Sequence, residues 1–115
     1  MTVTGPSMEP TYHDGSRLLV LRTPAARIRT GAVVVFRAPD AAPGDSPVVK
    51  RVAARPGDPV PAAAHWATRT TQGARVPRGS LVLLGDSPSR STDSRSWGYV
   101  PTSAVIGVVT RALGG

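Results

Sequence analysis

The sequence predicts a small, mostly β protein, and three observations carry that prediction. Its apolar residues fall in short runs, at Leu18-Leu19-Val20-Leu21, Ala32-Val33-Val34-Val35-Phe36, Val48-Val49, Leu81-Val82-Leu83-Leu84 and Ala104-Val105-Ile106-Gly107-Val108-Val109. Several of these are β-branched, which favours a pleated strand over a helix. Clusters of Gly, Pro, Asp and Ser separate the runs and read as turns. At 115 residues the chain suits one compact domain with a modest core, and few aromatics mean that Val, Leu, Ile and Ala must fill it.

The elements follow in order. Thr4-Gly5-Pro6-Ser7-Met8-Glu9-Pro10-Thr11 is too short and too broken by proline for a helix. Each proline fixes its own φ and biases the residue before it, so Ser7 sits on a stiff, extended or turn-like segment. Tyr12-His13-Asp14-Gly15 is a turn. A first strand covers residues 18–21, a second 32–36 and a third 48–53, with a surface loop at 40–47 between the last two. Arg55-Pro56-Gly57-Asp58 is a tight turn. Residues 59–77 form a short excursion of weak periodicity for which Trp66 is the expected apolar anchor. Strands at 80–84 and around 104–109 complete the set.

Composition excludes several chemistries. There is no cysteine, hence no disulfide framework, thiol nucleophile or cysteine-based metal site. Two histidines, His13 and His65, are too few for a histidine-rich metal cluster and are expected at the surface. The net charge of +7 favours acidic partners or an anionic surface. Its cations are scattered without aromatic interleaving, so no nucleic-acid partner is expected. No apolar run reaches the length of a membrane span.

The cations carry a sharper signal. Thirteen of the fourteen are arginine, and the one lysine is Lys50. Arginine stays protonated in proteins, whereas a desolvated lysine can lose its proton. Strand alternation puts Val48, Lys50 and Val52 on one face and Val49, Arg51 and Ala53 on the other. Lys50 thus shares its face with two valines, a setting that disfavours an ammonium.

Taken singly, each polar stretch has an ordinary reading: Ser7 in a turn, Lys50 snorkelling at a sheet edge, and Ser91-Thr92-Asp93-Ser94 as a solvated loop. Taken in order, they resemble the boxes of type I signal peptidases, serine endopeptidases with a Ser/Lys dyad. Ser7, Met8, Pro10 and Thr11 match the serine box, Lys50-Arg51 the lysine box, and Gly85-Asp86, Ser91, Asp93, Ser94, Arg95, Trp97 and Gly98 the third. The resemblance covers about residues 3 to 109. The chain departs from the pattern at Ser16 and Ala32, where the family has Asp, and at Ser87, where it has Asn.

The resemblance implies a signal-peptidase-like fold of coiled antiparallel sheets or a partial barrel. It implies one catalytic domain over residues 1–115, with the 59–77 excursion in place of the family's larger inserted domain. It further implies Ser7 as nucleophile and Lys50 as general base, with Ser91 orienting the lysine amine. Asp93 and Arg95 would form a structural ion pair, Asp86 would be structural, and the backbone around Gly5 and Ser7 would form the oxyanion region. Met8 is the motif-borne candidate for substrate contact. No metal or organic cofactor is needed. The partner would be a precursor polypeptide bound in extended form, with peripheral membrane contact compatible with the charge.

The family's membrane helix usually precedes the serine box, and here six residues precede Ser7. A complete chain would be cytoplasmic, and one cut from an N-terminal anchor would be membrane-associated. The opening resembles short proteases that mature nickel-type superoxide dismutase. Three alternatives stand beside that reading: a truncated domain of a membrane signal peptidase, a self-cleaving repressor-like regulator, and an inactive peptide-binding module.

Overall fold

The computed structural model describes residues 1–113. Six strands are present: β1 (Arg17–Leu21), β2 (Val33–Phe36), β3 (Val48–Ala54), β4 (Ser80–Leu84), β5 (Val100–Pro101) and β6 (Val105–Leu113). Two one-turn helices, α1 (His65–Thr68) and α2 (Ser94–Trp97), lie in the connections. The strands form an antiparallel sheet in the order β1-β6-β2-β3-β4-β5. The last strand therefore enters between the first two. The mostly β expectation holds, in the form of an open sheet whose edges are β1 and β5.

Strand β2 explains the shape of the core. All four of its residues are buried, because both faces of the sheet are covered at this point. Val33 and Val35 join Val3, Met8, Leu18 and Val49 on one face. Val34 and Phe36 join Ile28, Val52, Leu81, Leu83 and Val100 on the other. A strand covered on both sides reads as an unbroken apolar run, as 33–36 does. Because Val3 and Met8 belong to the first cluster, the serine segment is anchored on the sheet by its own apolar residues.

Strand β6 passes close to β1. A Cβ on Gly107 would stand 2.7 Å from the Leu21 carbonyl oxygen and 2.7 Å from Val20 Cγ1. Glycine is thus required there, opposite Val35 of β2, where the β2–β6 register shifts between Val35 and Phe36.

The structure corrects several expectations. Trp66 does not anchor the 59–77 excursion: its side chain is 82% exposed. The excursion is held instead by Val60, Ala64 and Val76, which pack with Ala54 and Val82. Helix α1 is a single turn, so its face toward the sheet is filled by Ala64 just before it and Trp66 falls outside. His65 is only partly exposed, and its Nε2 lies 3.0 Å from the Val60 carbonyl oxygen. Strand β6 runs to Leu113, beyond the expected end at 109, while Ala104 belongs to a 3-10 turn before it. Strand β5 was not anticipated, since two residues ending in proline give no periodic signal.

Candidate active site

The serine segment is a chain of turns. Glu9 N–H donates to the Pro6 carbonyl at 3.0 Å and Tyr12 N–H to the Met8 carbonyl at 3.0 Å. Gly5 has φ +86°, a conformation that an L side chain rarely adopts. Its N–H donates to Asp14 Oδ1 at 2.9 Å. Ser7 follows, and its carbonyl accepts from Ser87 N–H at 2.8 Å. That bond ties the serine box to the loop after β4. The Ser7 N–H makes no hydrogen bond among the described residues, whereas that of Gly5 is already used.

Lys50 sits on β3 opposite Val34 of β2. It is 5% exposed. Its Nζ donates to Ser91 Oγ at 3.2 Å. Burial lowers its pKa from the ordinary lysine value; the charge of Asp93 pulls it back up and that of Arg95 pushes it down further.

Asp93 is fully buried and organises the third box. Its Oδ2 accepts from Ser91 Oγ at 2.6 Å, from Gly85 N–H at 2.8 Å and from Arg95 Nη1 at 2.6 Å. Its Oδ1 accepts from Arg95 N–H at 3.1 Å, capping α2. Buried Ser94 accepts from Leu83 N–H at 2.9 Å, fixing α2 to β4. A buried carboxylate is tolerable here because each oxygen has fixed donors.

Arg51 points away from Lys50 and meets Asp86. Its Nε and Nη2 donate to the two carboxylate oxygens at 2.9 and 2.7 Å. Thr11 Oγ1 adds a third donor to Asp86 at 2.6 Å, and Arg51 Nη1 reaches the Gly31 carbonyl at 2.8 Å. The serine and third boxes are thus joined through Ser7 and Ser87, and all three boxes through Thr11, Arg51 and Asp86.

Ser7 and Lys50 line the same cleft, of about 710 Å³, between residues 1–4 and 45–50. They also line a shallower one of about 360 Å³ that reaches Trp97 and Arg90. Met8 backs the larger cleft from the core: its side chain has no exposed surface and forms floor rather than rim. His13 is exposed, near Glu9 and away from both clefts. Sequence reasoning missed Thr11 as a partner of Asp86, Asp14 as the acceptor for Gly5, and the 45–46 segment as cleft wall. For Asp14 a signal existed, since it stands two positions before the Ser16 that replaces the family's aspartate.

Fold and cleft together define an antiparallel β protein with a buried lysine and a serine facing one groove. The model of the family described as signal peptidase, peptidase S26, matches residues 1–65 and 61–113. The chain belongs to that family. It is 36% identical over 106 residues to mitochondrial inner membrane protease subunit 1 of Xenopus tropicalis, covering 90% of this chain and 62% of that protein. It is 32% identical over 104 residues to the protein of the same name from Schizosaccharomyces pombe, covering 89% and 64%. With signal peptidase I V of Bacillus subtilis the identity is 27%, covering 96% and 82%. The chain thus spans just under two thirds of the first two relatives. A crystal structure of a signal peptidase I from Enterococcus faecalis matches with a TM-score of 0.54 at 22% identity, over 73% of this chain and 97% of that one, a likeness that shows the fold.

Proposed function

We propose that this chain is a serine endopeptidase that removes an N-terminal signal or propeptide from a precursor polypeptide, with Ser7 as nucleophile and Lys50 as general base. The observation that carries the reading is a buried lysine, hydrogen-bonded to Ser91, on the wall of the cleft that Ser7 also lines. A serine hydroxyl needs a base near neutral pH, and lysine serves only as the neutral amine. Desolvation of Lys50 favours that form.

The steps follow from the groups present. Lys50 Nζ takes the proton of Ser7 Oγ as the oxygen attacks the scissile carbonyl. The Ser7 N–H is free to donate to the oxyanion. Lys50 then returns the proton to the leaving amine, giving an acyl-enzyme. Water, deprotonated by Lys50, attacks the acyl carbon and releases the acid, and Lys50 returns that proton to the departing Ser7 Oγ. Ser91 orients the amine, and the Asp93–Arg95 pair holds Ser91. No step requires a metal or organic cofactor.

The domain reading belongs to the same proposal: residues 1–115 act as one catalytic unit, with 59–77 replacing a larger insertion. Peripheral membrane contact is proposed on the charge of +7. No helix among the described residues is long and apolar enough to cross a membrane. The relatives named above are an inner membrane protease and a signal peptidase, which makes secretory-type precursors one substrate class to test. A nickel-type superoxide dismutase precursor is the other.

The test incubates wild type, Ser7→Ala and Lys50→Ala with both precursors and reads the products by intact mass. Cleavage by wild type that disappears in both variants supports the dyad, and the precursor cut assigns the substrate class. Cleavage that survives Ser7→Ala, or none from folded wild type, contradicts the reading.

A further inference from the structure

The carboxylate of Asp93 does more than complete an ion pair. Of the three groups that donate to its Oδ2, two are donors under all conditions: the backbone N–H of Gly85 and the guanidinium of Arg95. The third is the Ser91 hydroxyl at 2.6 Å, the short separation of an O–H···O⁻ bond. A hydroxyl has one hydrogen, and an ionised carboxylate can only accept. The Ser91 hydrogen is therefore committed to Asp93.

That fixes the direction of the next bond. Ser91 has only lone pairs left for Lys50, so the 3.2 Å contact runs from Nζ–H to Oγ. A neutral amine has two hydrogens and one lone pair. Spending a hydrogen on Ser91 leaves the lone pair free. Were the Ser91 hydrogen released, it could turn to Lys50 and occupy the one electron pair able to take a proton from Ser7.

We infer that Asp93 is a positioning residue, acting through Ser91 to keep the Lys50 lone pair available to Ser7. The inference rests on the dyad reading above and deepens it. Ion pairing with Arg95 supports it by holding Asp93 as an acceptor and by countering the pull of its charge on Lys50. The other charged residues lining the clefts are Asp40, Asp45, Arg90, paired with Glu9 at 3.0 Å, and Met1, whose terminal ammonium donates to the Leu18 carbonyl at 3.0 Å. Arg51 and Asp86 neutralise each other on the opposite face of β3.

Two measurements test it. The first is a kinetic cycle on whole protein, after wild type, Ser7→Ala and Lys50→Ala have established dyad-dependent cleavage. Ser91→Ala and Asp93→Ala should each lower kcat at least about tenfold with little change in KM, a loss on the scale of disturbed general-base catalysis. The double variant should be no worse than either single. Asp93→Asn keeps an acceptor for Ser91 and should recover most of kcat, which also covers the case in which Asp93→Ala does not fold. Additive losses, or a folded Asn variant as slow as Ser91→Ala, overturn the inference while leaving the dyad intact. The second needs no turnover: neutron diffraction above the Lys50 titration midpoint should place the Ser91 deuterium on the line to Asp93. A deuterium on the line to Lys50 overturns the inference whatever the activity.

Discussion

The guanidinium of Arg51 grips the carboxylate of Asp86 through two hydrogen bonds of 2.9 and 2.7 Å, joining β3 to the loop after β4. Bidentate geometry of this kind is specific to arginine, and lysine could not reproduce it. Thr11 donates to the same carboxylate, so the contact also holds the serine segment.

The pair predicts a pH signature. The hydrogen bond from Arg51, aided by Thr11 and opposed by burial, holds the Asp86 carboxyl below its ordinary value. A depressed carboxyl pKa contributes stability above the unfolded-state pKa, and that stability is lost as pH falls through the folded-state one. Asp86→Asn should therefore be less stable than wild type at pH 7, by about 1.5 kcal/mol after allowing for solvent screening of the partly exposed Arg51. The gap should close as pH falls below the ordinary carboxylate range. Urea unfolding of both proteins at neutral and acid pH checks this; a gap constant with pH would contradict it.

Gly85 makes a second prediction. A Cβ there would fall 2.1 Å from Ser91 Oγ and 2.7 Å from the Ser7 carbonyl oxygen. Both neighbours are tied, Ser91 to Asp93 and Ser7 to Ser87, so neither can give way without breaking a bond. Gly85→Ala should lose about 1–3 kcal/mol of stability by overpacking. It should also lose activity beyond what unfolding explains. Thermal melts and kcat on the folded fraction separate the two effects.

The excursion at residues 59–77 supplies the third. Trp66 projects into solvent, so Trp66→Ser should change stability by less than about 0.5 kcal/mol. Val76 is buried, and Val76→Ala should cost about 2 kcal/mol for the lost carbons and the space left behind. A large loss in Trp66→Ser would show that the tryptophan does anchor the segment.

Much of this was legible in the sequence because it was local. Alternation on β3 assigned Lys50 and Arg51 to opposite faces, and the structure shows Lys50 buried while Arg51 reaches an acidic partner. Apolar runs located five of the six strands. What stayed hidden depends on tertiary approach. The need for glycine at 85 arises only where Ser7 and Ser91 converge on one backbone. Asp93 reads as a loop residue until four donors, from Gly85, Ser91 and Arg95, surround it. Trp66 misled because a large apolar residue in a weak helix pattern is ordinarily buried, while a single-turn helix has too short a face to guarantee it. The Ser-Thr-Asp-Ser run hides α2 for the same reason, since one turn leaves no periodicity to detect.

The base role proposed for Lys50 requires a lysine prepared to lose its proton, a property that can be measured directly. Lys50 is the only lysine in the chain, so labelling lysine with 13C at Cε gives one resonance to follow against pH. In the native protein its midpoint should lie below the ordinary lysine value of 10.5, and unfolding in urea should restore that value. A native midpoint equal to or above the unfolded one would contradict the proposed role of Lys50 as the base for Ser7.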